Sequence, residues 1–148
     1  MKKRYLLMIL LLLIVASLLL LDRGPALAVL APSQTDFPNS ELLVSADSVE
    51  SSIGEANLVI IDARSAQSYA AAHIPGAINI TYGNYFIFGK GLLPKDRLNK
   101  RLGAAGLTRN MTFVIYDNTT ASFGAAGRLF WMLEYLGCRD VHILDGGW

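Results

Sequence analysis

The chain has 148 residues, and because its first 30 or so read as a targeting segment, about 118 remain to fold, which excludes two full-size domains. The apolar fraction of 53% and mean hydropathy of +0.39 are inflated by an almost unbroken apolar run from Leu6 to Leu21, and the remainder has ordinary globular composition. Outside residues 1–28, nine basic residues stand against eleven acidic ones, a net charge of −2, and Cys138 is the one cysteine. A basic footprint for nucleic acid, an internal disulfide and a CxxC metal or redox pair are thereby excluded.

Met1 to Arg4 give a positive start, Tyr5 to Leu21 an apolar run of 17 residues, and Asp22 to Ala28 a polar stretch broken at Gly24-Pro25 and ending Ala26-Leu27-Ala28. That order is the pattern of a signal peptide over residues 1–28, with cleavage after Ala28 as the first expectation. The run is also just long enough for a membrane anchor, so contact with the membrane through residues 5–21 is the alternative. Either way the rest is expected to be exported to the periplasm or cell surface, because the positive charge stays inside. A lipoprotein is disfavoured, since no cysteine follows the run. Residues 29–40, with Pro32 and Pro38 among Ser, Gln and Thr, read as a linker.

From Glu41, short β-branched runs alternate with amphipathic helical runs, the signal of a parallel sheet flanked by helices on both faces. Leu42 to Val44 predicts a strand, and Ser45 caps a helix running to about Ile53. Leu58 to Ile61 is an unbroken apolar run, as a strand buried on both faces requires. Ser65 caps a short helix through Ala72, Ile74-Pro75-Gly76 breaks it, and Ala77 to Ile80 resumes as strand. Thr81 to Leu93 shows no period and reads as a loop. Pro94, at a first helical position, starts a helix over Lys95 to Gly103, with Leu98 and Leu102 on one face. Met111 to Tyr116 is a second buried strand. Phe123 to Leu136 is the longest helix, stopped by Gly137, and Val141 to Leu144 is the last strand before the Asp145-Gly146-Gly147 turn.

In open α/β sheets ligands bind beyond the carboxyl ends of the strands, which directs attention to three polar groups. Asp62-Ala63-Arg64 follows one strand; Asp-x-Arg there could bind an anion but more often forms a local ion pair. Asp117, Asn118, Thr119, Thr120, Ala121 and Ser122 lead from a second strand into a helix N-terminus, where N–H groups favour an anion or a thiolate. Asp117 is a weak nucleophile, and capping the helix or pairing with an arginine is the simpler role. The loop also lacks the glycines of a phosphate-binding loop. Asp145-Gly146-Gly147 follows the last strand. His73 and His142 have no second ligand at metal spacing and read as hydrogen-bonding residues, so no metal and no cofactor are expected. Cys138 reads as a turn residue away from the Asp117 loop.

Together these pieces resemble a rhodanese domain. Asp62-Ala63-Arg64, Tyr69 and His73-Ile74-Pro75-Gly76-Ala77-Ile78 resemble the family's first signature, with Ala72 in place of the usual Gly. Val141 to Gly147 is similar to its Val-x-x-Leu-Asp-Gly-Gly signature. Arg128 and Trp131, with Leu133, resemble the Arg-x-x-Trp-x-Leu helix found in N-terminal domains of tandem thiosulfate and 3-mercaptopyruvate sulfurtransferases. The likeness covers Glu41 to Trp148 and implies an α/β rhodanese fold. In catalytic members, the loop after the Val-x-x-Tyr strand begins with a cysteine that carries sulfur as a persulfide; here the strand Phe113-Val114-Ile115-Tyr116 is followed by Asp117. The resemblance therefore implies a non-catalytic N-terminal half of an exported tandem sulfurtransferase. The C-terminal rhodanese domain that does the chemistry is expected as partner and is absent from this chain, as is the helix expected after Gly147, so the sequence reads as a fragment. A stand-alone, membrane-tethered rhodanese-like binding module is the alternative.

Overall fold

The computed structural model describes residues 38–118 and 124–148. The signal or anchor segment, most of the linker, and Thr119, Thr120, Ala121 and Ser122 of the loop lie outside them. The strands are β1 (Leu43–Val44), β2 (Leu58–Asp62), β3 (Ile78–Asn79), β4 (Phe86–Ile87), β5 (Gly91–Leu92), β6 (Thr112–Tyr116) and β7 (Val141–Leu144). The helices are α1 (Ala46–Ser52), α2 (Ala66–Ala71), α3 (Lys95–Ala104) and α4 (Ala125–Tyr135). Five strands form one parallel sheet in the order β1-β7-β6-β2-β3, and β4 and β5 pair as an antiparallel hairpin.

Alternation along the strands sorts the core into two layers. Ile61, Phe113, Ile115 and Val141 point to one face, where Leu98 and Leu102 of α3 and Leu129, Met132 and Leu133 of α4 cover them. Ile60, Val114, Tyr116 and Leu144 point to the other, against Val49 of α1, Tyr69 of α2 and Ile74. Burial on both faces is why β2 and β6 carry continuous apolar runs. Ser45 and Ser65 cap α1 and α2, their hydroxyls accepting from the N–H groups of Ser48 and Ser68 at 3.2 and 3.1 Å. Gly137, at φ +91°, ends α4: its N–H reaches the Glu134 carbonyl and that of Cys138 the Leu133 carbonyl, the paired bonds of a left-handed C-terminal cap.

The boundaries depart from the sequence reading where elements are short. Leu42 belongs to a 3₁₀ turn, Ser40–Leu42, that leads into β1. Pro94 is the N-cap of α3, one position before its first helical residue. The stretch Thr81 to Leu93, read as a loop, holds a 3₁₀ turn (Tyr82–Asn84) and the β4–β5 hairpin. Of the strand expected over Ala77 to Ile80 only Ile78–Asn79 pairs, although Ala77 and Ile80 are still buried. Among the described residues α4 begins at Ala125, after Gly124 at φ +70°.

Candidate functional site

The register places Asp62 opposite Tyr116 at the carboxyl ends of β2 and β6. From this pairing a buried polar network follows. Asp62, fully buried, accepts from the Arg64 guanidinium: Nε donates to Oδ1 and Oδ2 at 3.0 and 3.1 Å, and Nη2 donates to Oδ2 at 2.6 Å. The Arg64 N–H adds a bond to Oδ1 at 2.9 Å, and the Tyr116 hydroxyl one to Oδ2 at 2.8 Å. Arg64 Nη2 also donates to the Ala72 carbonyl at 2.6 Å, and the Tyr116 hydroxyl accepts from the Ile74 N–H at 3.1 Å. The Asp62–Arg64 pair is thus local, as an Asp-x-Arg after a strand favours, and the guanidinium is committed to it.

Electrostatics follow from this geometry. Burial by itself pushes the Asp62 carboxyl up, but the hydrogen bonds from Arg64 and Tyr116 outweigh it and hold it below the ordinary carboxylate range. Burial, with the adjacent Asp62 charge, pushes the Tyr116 hydroxyl up to about 12.

The loop after β7 closes the network from above. Gly146 and Gly147 both have positive φ, +81° and +66°, a turn that side chains would strain. It carries the chain over the end of β6, where the Trp148 N–H donates to the Asp117 carbonyl at 2.9 Å. The Trp148 ring then lies 4.1 Å from the Arg64 guanidinium carbon and stacks on Tyr116 at 5.9 Å between centroids. Asp117 is buried, and its Oδ2 accepts from the Ala126 N–H in the first turn of α4 at 2.8 Å. That is the capping role weighed from the sequence, with the carboxylate placed where a helix N-terminus favours negative charge. Asn118 is half-buried.

Other signature residues lie around this network. Tyr69 and His73 brace the turn leading to Ala77, and Pro75 and Gly76 are exposed on it. The Tyr69 hydroxyl donates to the Ala77 carbonyl at 2.8 Å, His73 Nδ1 lies 2.8 Å from the Tyr69 carbonyl, and the two rings stack at 3.9 Å. Arg128 and Trp131 are exposed on α4, the first over the Tyr82 ring and the second stacked on Tyr135, so neither joins the Asp62 network. His142 bridges Asp140 and the Glu41 carbonyl. Tyr116 and Trp148 join the site although no sequence motif marks them as site residues. A tyrosine adjoining Asp117 was the available signal for the first, while Trp148 reaches Arg64 only through the double-glycine turn. Among the described residues no cluster of His, Cys, Asp and Glu could hold a metal, and no helix is long and apolar enough to cross a membrane.

A doubly covered parallel sheet with an acid–arginine pair at one strand end, and a buried aspartate beside it that caps the next helix, defines an α/β domain whose site lies at the carboxyl edge. The chain belongs to the rhodanese-like domain family, whose pattern matches residues 45–148. It is 33% identical over 116 residues to a thiosulfate sulfurtransferase of Pseudomonas aeruginosa, covering 75% of this chain and 42% of that protein. It is 30% identical over 135 residues to thiosulfate/3-mercaptopyruvate sulfurtransferase 2 of Arabidopsis thaliana, covering 82% and 38%. The fold matches a 3-mercaptopyruvate sulfotransferase of Escherichia coli with a TM-score of 0.63 at 27% identity, over 72% of this chain and 45% of that one. The chain therefore spans about two fifths of the length of these curated relatives.

Proposed function

We propose that this chain is the non-catalytic rhodanese half of an exported sulfurtransferase acting on thiosulfate or 3-mercaptopyruvate, in which a second rhodanese domain carries the persulfide. The observation that supports this reading is Asp117. A persulfide-forming residue must present a sulfur nucleophile at the loop into α4, and here a buried carboxylate stands at its start with one oxygen bonded to the Ala126 N–H. A carboxylate oxygen cannot accept a sulfane sulfur and hold it as a persulfide. The one thiol, Cys138, sits before the amino end of β7, whereas Asp117 follows the carboxyl end of the parallel neighbour β6. A strand of five residues separates those levels, roughly 16 Å at the usual rise.

Thiosulfate:cyanide sulfurtransferase assays on the purified chain test the proposal. No turnover is expected, and adding a separately expressed catalytic rhodanese domain should supply it. Turnover by this chain alone that survives Cys138→Ser would refute the inactive reading, and turnover abolished by that substitution would assign the chemistry to Cys138.

A further inference from the structure

A cavity among the described residues lies at the opposite end of the sheet from Asp117. It has a volume of about 520 Å³ and opens between the end of α3, the segment leading into β6, and the end of α4. Leu102, Phe113, Leu133 and Leu136, all buried, form an apolar floor, while Asn99, Thr108, Arg109 and Asn110 are exposed and form a polar rim. The volume lies in the range of sites for small organic ligands, and the lining is mixed, an apolar floor beneath a polar rim. Arg109 is the one charged residue in the lining, which includes no carboxylate. It has no ion-pair partner among the described residues. Its stem lies beside Gly137, where a Cβ would meet Arg109 Cδ at 3.7 Å, and Arg109 and Cys138 line the same cavity.

We infer that this cavity is a second ligand site, distinct from the Asp117 loop, for a small amphipathic anion whose apolar body rests on Leu102, Leu133 and Leu136 and whose carboxylate pairs with Arg109. An uncommitted guanidinium over an apolar floor selects that charge sign, because a carboxylate gains a charge-assisted bond there and an ammonium meets only repulsion. The inference is independent of whether the Asp117 loop is inactive, since the two sites share no residue.

Cys138 supplies the readout. It lines the cavity, is 7% exposed, and is the one thiol of the chain, so an occupant should shield it. The rate of Cys138 alkylation by iodoacetamide in the 148-residue chain would be followed against octanoate below its micellar concentration, with octanamide as the uncharged control. Octanoate should slow alkylation saturably, octanamide should do so only at about tenfold higher concentration, and Arg109→Gln should shift the octanoate dependence by about tenfold, the loss of one charge-assisted bond. Arg109 is exposed, so that variant should fold, with an unchanged thermal midpoint as the check. Asn99→Trp, which fills the mouth from α3, should slow alkylation without ligand. No saturable protection, equal protection by the amide, or an unchanged response in Arg109→Gln would overturn the assignment.

Discussion

Removing one partner of a buried ion pair leaves the other charge without compensation, a loss of about 3–5 kcal/mol. Arg64→Ala should therefore lower the unfolding free energy by that amount in urea titration, since Asp62 is fully buried and takes three of its bonds from the guanidinium. Arg64→Lys, which keeps the charge but loses the fork, should fall between wild type and alanine; equal losses would mean that charge geometry does not matter here. Trp148→Ala removes the ring over the guanidinium, and a loss of about 1 kcal/mol is expected for this partly exposed cation–π contact. The pair itself could be read from the sequence, where a local ion pair is the favoured role of Asp-x-Arg after a strand and anion binding the alternative. The cover over it could not, because Trp148 reaches Arg64 through two consecutive positive-φ glycines whose path depends on where β6 ends.

The elements most readable in the sequence are those with the longest pattern. The apolar runs of β2 and β6 and the Leu98–Leu102 spacing of α3 fixed the two-faced sheet, and Ser45 and Ser65 marked helix starts that their hydroxyls do cap. The β4–β5 hairpin escaped because two-residue strands are too short to show alternation, and its register rests on a turn with Gly89 at positive φ, followed by Gly91, also at positive φ, at the start of β5. These differences predict different costs. Ser45→Ala removes one cap bond and should cost about 1 kcal/mol. Leu98→Ala opens a cavity beneath α3 at a fully buried position and should cost about 2–5 kcal/mol. Chemical denaturation measures both, and a Leu98→Ala loss no greater than that of Ser45→Ala would show that α3 is not seated on the sheet as described.

At the scale of the whole domain, titratable groups at the two ends of the sheet shape stability in both directions of pH. Asp62 at the carboxyl end and Asp140 at the amino end both have carboxyl groups held below the ordinary range. For each, burial pushes upward, but hydrogen bonds win: those of Arg64 and Tyr116 at Asp62, and those of Thr112 and His142 at Asp140. A depressed folded-state value means that the unfolded chain binds protons first, so the stabilisation is complete above about pH 4 and is lost as pH falls through the folded values. Tyr116 works at the other limb. Its hydroxyl ionises near 10 when unfolded and at about 12 when folded, so its contribution is complete below about pH 10 and is lost as pH rises from there toward 12. With one proton involved and two pH units between the values, that loss is on the order of 3 kcal/mol. Between about pH 5 and 9 these three groups contribute no slope. Thermal unfolding midpoints measured from pH 2 to 12 should fall on both sides of that interval. Asp140→Asn should make the acid limb shallower, and Tyr116→Phe, although less stable at neutral pH for want of its two hydrogen bonds, should flatten the alkaline limb. An alkaline limb as steep in Tyr116→Phe as in the wild type would show that some other group controls it, and that the strand-end network at Asp62 is not where the domain is sensitive to base.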